Sequence, residues 1–410
     1  EKTTIHYYFG DTVPATLKEV TVKDTGVPKE AFKDCASLKT VNLEGNIGTI
    51  GESAFENCSG IFYVNFNDVT LTSIGESAFK NCGNLLTLRL PEGLTEIGRM
   101  AFYGCGTMYS VTMPTSITNM SQIGYSAFWN CNSLYEIYNP GKLELTIGEY
   151  SDTDLGYRAK DVYTSLDAAS RFSTDIKGNI FYDDATDGLT LIRYISTETT
   201  YAIPENVTTI QKAAFKGRND MAEITLPSGL KKIGDEAFMN ATGFNILSIT
   251  QEGLVVGADA FNGCSTLTSV EILADGVKIG HECFSNCANL ASINIDADNL
   301  NISGAFRSLT LPQTLHAKTS GSRFTLTFSG CSGIKEFILD GDNNTIYYAF
   351  PRASVESVTI NGNNTSIEQM AFEKCLSLKT FTVNGGNCAL GAAIFRDCTN
   401  LETITVTGGI

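Results

Sequence analysis

The fold is decided by the stretch Ala78-Phe79-Lys80-Asn81-Cys82-Gly83-Asn84-Leu85-Leu86-Thr87-Leu88-Arg89-Leu90-Pro91. Written as A-F-x-x-C-x-x-L-x-x-L-x-L-P, this pattern recurs along nearly the whole chain. Its phenylalanine stands at Phe32, Phe55, Phe79, Phe102, Phe128, Phe215, Phe238, Phe261, Phe284, Phe306, Phe328, Phe350, Phe372 and Phe395. The steps between them are 22 to 26 residues, apart from one interval of 87. Self-similarity at so constant a period predicts a repeat architecture.

Each repeat contains a short alternation of apolar and polar residues that is typical of a strand with one buried face. In Leu38-Lys39-Thr40-Val41-Asn42-Leu43, Leu38, Val41 and Leu43 are expected to point inward. A second apolar pair follows, then a glycine such as Gly98, which we expect to mark unusual dihedrals or a close backbone approach. No repeat can bury its inward side chains alone, so stacking must form the core. The sequence predicts a β-rich solenoid with short parallel strands, turns and little regular helix.

Composition excludes several classes of protein. Of 410 residues, 42% are hydrophobic and 18% are charged, and no apolar run approaches the ~18 residues of a membrane span. The formal net charge is −16, which disfavours binding to the phosphate backbone of nucleic acids. No catalytic, phosphate-binding or dinucleotide-binding motif is present, so we predict no enzymatic activity and no cofactor.

Most of the twelve cysteines share one phase of the repeat. Ten of them fall three residues after the repeat phenylalanine, and only Cys283 and Cys388 lie outside that register. Other units carry Arg218, Ala241, Leu309 or Ala353 in the same slot, which a disulfide network would not tolerate. A free cysteine behaves as a small apolar residue, so we interpret this series as an interior ladder of thiols.

The departures from the pattern suggest four segments. Residues 1–24 form an atypical N-terminal cap, in which His6 and Tyr7-Tyr8-Phe9 lie, and residues 25–139 are regular repeats. Residues 140–204 are an irregular island within the same solenoid, and residues 205–410 are repeats again. In the island, Asn179 to Tyr194 reads as two strands about an Asp-Gly turn, a hairpin signal. Around Phe306 the register is irregular, because Leu309-Thr310-Leu311 suggests a strand that begins closer to the repeat phenylalanine than in the other repeats.

The repeat resembles the leucine-rich repeats of the BspA-like (Treponema pallidum) type, whose consensus is L-x-x-I-x-L-P-x-x-L-x-x-I-G-x-x-A-F-x-x-C. The residues that match it are Leu85, Leu88, Leu90, Pro91, Leu94, Ile97, Gly98, Ala101, Phe102 and Cys105. The resemblance covers roughly residues 15–139 and 205–410. It implies a right-handed, curved solenoid on a secreted or surface-anchored, typically bacterial protein, associated with adhesion to host matrix proteins or other cells without catalysis.

Two candidate chemical sites have simpler explanations. The three histidines, His6, His281 and His316, lie far apart in the repeat and are expected at the surface. Asp340-Gly341-Asp342-Asn343-Asn344 begins like a calcium loop but has Thr345 and Pro351 where such a loop needs glycine and glutamate. These acids, like Asp296 and Asp298, are interpreted as polar turns that end strands, so no metal site is predicted.

The outward positions of the strands offer a surface rich in hydroxyl groups. Tyr63, Arg89 and Tyr138 are its candidate anchors for a partner, since Tyr and Arg are frequent at binding hot spots. The alternative is that Thr and Ser simply suit exposed strand positions.

We therefore predict an exported or cell-surface recognition module for a protein (host matrix or another cell-surface protein) or a glycan, with the monomer favoured. A structural spacer on the cell envelope without a ligand, or an enzyme hidden in residues 140–204, are the alternatives.

Overall fold

The computed structural model describes residues 13–14, 16–66 and 68–407, and it contains two compact units divided between Ser170 and Arg171. Each unit is a coil of short strands in which every turn contributes a first strand, from the L-x-x-I-x-L segment, and usually a second strand before the glycine. Within the described residues, the helical element is one 3-10 turn, Met120–Gln122. The predicted leucine-rich-repeat solenoid with parallel strands and little helix is confirmed. Its handedness and curvature stay predictions.

In the N-terminal unit, the first strands pair in parallel in two runs, from Glu19–Lys23 to Tyr63–Asn65 and from Thr87–Arg89 to Asp161–Tyr163. They are Glu19–Lys23, the start of Thr40–Ile50, Tyr63–Asn65, Thr87–Arg89, Ser110–Thr112, Glu136–Tyr138 and Asp161–Tyr163. The second strands are the end of Thr40–Ile50, then Val69–Ile74 and Glu96–Ile97.

The C-terminal unit repeats the arrangement over more turns. Its first strands are Thr200–Ala202, Glu223–Thr225, Ile246–Ile249, Ser269–Ile272, Ser292–Asp296, Thr314–Lys318, Glu336–Asp340, Ser357–Ile360, Thr380–Val383 and Thr403–Val406. Its second-strand sheet contains Phe172–Thr174, Ile180–Asp184, Gly188–Arg193, Val207–Ile210, Lys232–Ile233, Val255–Val256, Lys278–Ile279, Asn301–Ser303, Arg323–Thr325, Thr345–Tyr347, Ser366–Ile367 and Ala389–Leu390.

The repeat phenylalanines form the centre of each core. In the N-terminal unit, the rings of Phe79 and Phe102 stack with centroids 5.4 Å apart, and those of Phe102 and Phe128 with centroids 5.3 Å apart. Both faces of such a ring are thus covered by the same residue type in the turns before and after it. In the C-terminal unit the stack begins with Tyr194, whose ring lies 4.9 Å from that of Phe215. Tyr194 therefore occupies a phenylalanine slot within the irregular segment.

A left-handed residue stands on each side of the phenylalanine and closes the turn around it. Next to Phe79 these residues are Ser77 (φ 55°) and Asn81 (φ 60°). Asparagine tolerates this conformation better than most side chains. The Asn81 amide also donates a hydrogen bond of 2.9 Å to Asn57 Oδ1, which ties the turn to the preceding one.

The glycine after the second strand is required by close packing, not by its dihedrals. A Cβ added to Gly98 would lie 2.5 Å from the Glu76 nitrogen and 2.5 Å from the Gly75 carbonyl carbon. Of the two expectations for this glycine, close backbone approach is the one that the structure shows.

The cysteines lie where the phase of the repeat places them. Cys82 and Cys105 are buried, and their thiols donate to the carbonyl oxygens of Phe55 and Phe79, each at 3.3 Å. Burial raises the pKa of Cys58 and Cys105 to about 12. These thiols are packing groups with a hydrogen bond along the coil, as expected for an interior ladder.

The irregular segments were predicted with mixed success. The hairpin is confirmed, since Ile180–Asp184 pairs antiparallel with Gly188–Arg193. The strand expected at Leu309–Leu311 is wrong: the first strand of that turn is Thr314–Lys318, and Thr310 forms only an isolated bridge to Ser332. Leu309 fills the slot of the repeat cysteine and is buried there, so the strand comes later. The four-segment division stays a prediction, and the predicted cap residues Tyr7-Tyr8-Phe9 lie outside the described residues.

Candidate binding surface

The strand register places the outward side chains in two columns. In the N-terminal unit one column contains Arg89, Thr112, Tyr138 and Tyr163 on successive strands. Neighbouring strands are about 4.8 Å apart, so Arg89 and Tyr138 lie roughly 10 Å apart along this column. Tyr63 pairs with Thr40 and belongs to the other column. The structure thus places Arg89 and Tyr138 in the same column and Tyr63 in the other.

The three candidate anchors differ in exposure. Tyr63 is 48% exposed and Arg89 is also exposed. Tyr138 is half-buried, because its ring packs against Tyr163 with centroids 5.0 Å apart. Its hydroxyl donates to the Ala168 carbonyl at 3.4 Å. Tyr138 is therefore held in place, whereas Tyr63 and Arg89 extend from the strands.

Glu136 lies at an outward strand position but does not face solvent. Only 1% of this residue is exposed. The Tyr163 hydroxyl donates to Glu136 Oε1 at 3.3 Å, and the Ser170 hydroxyl donates to Oε2 at 2.8 Å. The segment 161–170, which lies outside the regular repeats, covers this carboxylate, and for that reason the repeat pattern could not reveal it.

The covered carboxylate changes the chemistry of its neighbours. Burial, together with the charges of Glu136 and Asp161, raises the pKa of Tyr163 to about 12. Burial and Glu136 also raise the pKa of Tyr138 and of Tyr109. These phenols stay protonated at neutral pH, and those of Tyr138 and Tyr163 donate hydrogen bonds. The surface can recognise a partner through rings and hydrogen bonds.

The histidines and the acidic turns have structural partners. His281 Nε2 lies 2.7 Å from Arg307 Nη1, and His316 Nε2 lies 2.6 Å from Asp340 Oδ2. Asp340 Oδ1 accepts a hydrogen bond from Asn361, while Asp342 Oδ1 accepts one from the Asn363 backbone. The acids of the calcium-like stretch thus connect turns of the coil. His6 lies outside the described residues.

In residues 13–14, 16–66 and 68–407, no group of three or more His, Cys, Asp or Glu side chains could hold a metal ion. Within the same ranges, no helix has the length and apolarity needed to span a membrane.

Comparison with known families gives one match. The model of the BspA type leucine rich repeat region matches six copies, at residues 25–151, 194–311 and 306–410. No curated protein sequence matches the chain significantly.

Several solved structures are similar to the chain. A leucine-rich repeat protein from Bacteroides ovatus is 21% identical, with 94% of this chain and 86% of that chain covered and a TM-score of 0.34. A leucine rich cell surface protein from Faecalibacterium prausnitzii is 20% identical, with 96% and 79% covered and a TM-score of 0.29. The pneumococcal vaccine antigen PcpA is 17% identical, with 92% and 86% covered and a TM-score of 0.35.

Proposed function

Because the chain belongs to the BspA-type leucine-rich-repeat family, we propose that it is a non-enzymatic recognition or adhesion module, exported to the cell surface or beyond. Its partner is a protein, such as a host matrix or other cell-surface protein, or a glycan. The monomer is the binding species. Nucleic acid is disfavoured by the net charge of −16.

The observation that carries this proposal is the column Arg89, Thr112, Tyr138 and Tyr163. Arginine and tyrosine dominate binding hot spots, because they combine large contact area with directional hydrogen bonds. Tyr138 and Tyr163 are already ordered by their mutual packing and by hydrogen bonds, so little side-chain entropy is lost when a partner binds. Arg89 adds an exposed positive charge at the other end of the column.

The test is a binding screen of the purified chain against matrix proteins and a glycan array, followed by single substitutions. Arg89→Ala and Tyr138→Ala should each weaken binding of the partner identified in the screen by about tenfold or more. Tyr63→Ala, in the other column, should have a smaller effect. Thr382→Ala, at an outward strand position of the C-terminal unit, is the matched control and should bind as the parent does.

Two outcomes would contradict the proposal. If Arg89→Ala, Tyr138→Ala and Tyr63→Ala all bind as well as the parent, the column is not the binding surface. If no matrix protein or glycan binds at all, the second candidate, a structural spacer on the cell envelope, is favoured. Its support is the predominance of small hydroxyl side chains at the other outward positions, such as Thr359 and Thr382.

A further inference from the structure

The phenylalanine stack of the N-terminal unit changes after Phe128. In a regular turn, the N–H of Phe102 donates to the carbonyl of Ala127, and Phe128 follows that alanine in the stack. The N–H of Phe128 donates instead to Thr153, at 3.0 Å. The residue that follows Thr153 is Asp154. The irregular turn next to Phe128 therefore contains Asp154 and the buried Leu155.

Asp154 has a buried oxygen without a partner. Only 7% of the residue is exposed, and within the described residues no hydrogen-bond donor reaches its Oδ1 atom. Burial raises the pKa of this carboxyl group. A buried, unpaired carboxylate oxygen is destabilising in a native structure, so a donor from outside the chain is the simplest way to satisfy it.

This oxygen belongs to a residue that lines a small aromatic cavity of about 50 Å³. The ring of Trp129 stacks on that of Tyr150 with centroids 5.6 Å apart, and the centroid of Tyr150 lies 3.9 Å from that of Tyr157. The Arg158 guanidinium packs over the ring of Tyr157 at 4.7 Å. Between Arg158 and Asp154, both in the described part of the chain, there is no ion pair. Tyr150 is 66% exposed, so the cavity lies at the surface.

We propose that this cavity, the Asp154 cavity, binds the ammonium group of a lysine side chain presented by a protein partner. An ammonium supplies the hydrogen-bond donor that Asp154 Oδ1 lacks, and aromatic faces attract cations. A cavity of about 50 Å³ has room for an ammonium group. The net charge of −16 favours approach of a basic surface.

This inference deepens the proposed function by naming the partner chemistry, and it rests on that function only in taking the partner to be a protein. The cavity is a separate surface from the column of Arg89 and Tyr138. Its amine binding can therefore be measured without any partner.

Trp129 makes the experiment direct, because it is the only tryptophan of the chain and lines the cavity. The full chain is titrated with Nα-acetyl-lysine methylamide at constant ionic strength while tryptophan emission is recorded. We expect a saturable change. The same titration with Nα-acetyl-norleucine methylamide, which lacks the charge, should give none.

Substitutions locate the ammonium. Asp154→Asn should weaken lysine-probe binding about tenfold or more, since it removes the charge that the ammonium pairs with. Asp152→Asn is the matched control: it removes an exposed carboxylate two residues away and should leave binding within about twofold. Tyr150→Ala, at an exposed position, should also weaken binding. It tests the aromatic wall if Asp154→Asn fails to fold.

Three results would overturn the inference: no saturable response to the lysine probe, an equal response to the norleucine probe, or full binding by both Asp154→Asn and Tyr150→Ala. Arg89→Ala separates the two proposals. It should leave lysine-probe binding unchanged even where it abolishes partner binding. The two proposals can therefore fail separately. Partner binding tests the column of Arg89 and Tyr138, and lysine-probe binding tests the Asp154 cavity.

Discussion

Glu56 and Asp154 are both buried carboxylates of the N-terminal unit, and their surroundings are opposite. Glu56 lies in a regular turn, where Lys33 Nζ and Lys80 Nζ reach it from the turns before and after at 3.1 and 3.0 Å. Burial opposes its ionisation, but hydrogen bonds from Lys80, Lys33 and Ser53 prevail and lower its pKa to about 2. Asp154 lies in an irregular turn, and burial raises its pKa.

The difference shows what the period of the repeat provides. A regular turn has neighbours at the same phase on both sides, and Glu56 finds a partner on each of them. Where the phase is lost, that supply of partners ends, and Asp154 keeps an unsatisfied oxygen. Regular turns are therefore expected to govern stability, and the irregular turn is where a group remains free to bind something else.

The largest effect should come from the phenylalanine stack. Phe102→Ala should lower the free energy of unfolding by about 3–5 kcal/mol, because it removes a fully buried ring between Phe79 and Phe128. The measurement is urea unfolding followed by Trp129 fluorescence. Tyr150→Ala, which removes an exposed ring in the irregular turn, should cost only about 1 kcal/mol. Equal losses would contradict the distinction between the two turns.

Next in size is the glycine that allows the turns to approach. Gly98→Ala places a methyl group 2.5 Å from backbone atoms of the preceding turn and should destabilise the unit by about 1–3 kcal/mol. Gly83→Ala is the matched control, since its Cβ would meet nothing within 4 Å. It should be neutral or stabilising by up to about 1 kcal/mol, through reduced entropy of the unfolded chain. The measurement is thermal unfolding of both variants, and equal losses of stability would contradict the prediction.

A smaller loss is expected when the Glu56 charge is removed. Glu56→Gln should lower stability at pH 7 by about 1–2 kcal/mol, since two ammonium groups lose their partner. The folded pKa lies below the usual 4.5, so the contribution of the charge is present above pH 4.5 and is lost as the pH falls towards 2. Unfolding of parent and variant should converge over that range.

Glu76→Gln provides the comparison for that experiment. It removes one exposed pair, Arg99 with Glu76 at 3.4 Å, and should change stability by no more than about 0.5 kcal/mol. A loss as large as that of Glu56→Gln would show that bridging two turns adds nothing.

The smallest expected effect has the opposite sign. Asp154→Asn should stabilise the folded chain at pH 7 by about 0.5–1 kcal/mol, because it removes the charge from a buried carboxylate whose Oδ1 atom has no hydrogen-bond partner. The folded pKa is raised, so this advantage is present above that pKa and disappears as the pH falls below the ordinary value for aspartate. Destabilisation at pH 7 would mean that the carboxylate is already satisfied within the fold.

The sequence was sufficient to predict whatever repeats. The Phe and Cys slots, the inward strand positions and the glycine approach all follow from one turn stacked on the next. Spacing also contained information that the choice of anchors overlooked: Arg89 and Tyr138 both stand ten residues after their repeat phenylalanine, while Tyr63 stands eight after Phe55. Positions two residues apart along a strand belong to different columns. Tyr63 is therefore not in the column of Arg89 and Tyr138.

Features that depend on the irregular segment could not be predicted in this way. The burial of Glu136 requires Tyr163 and Ser170, and both lie in a segment that lacks the repeat motif. The Asp154 cavity could not be predicted, because no sequence motif shows that Thr153 lies beside Phe128. Both are contacts between segments without a shared period, so they depend on tertiary packing that a one-dimensional pattern does not contain.

The buried thiols also have a consequence for the lifetime of the folded protein. Eleven of the twelve cysteines are buried and the twelfth, Cys398, is partly so. In an oxidising medium, unfolding would expose many thiols that can form disulfides out of register, and such crosslinks prevent refolding. In such a medium, the lifetime of the folded protein depends on its rate of unfolding. We therefore expect the tight stacking of the turns to act through kinetic stability.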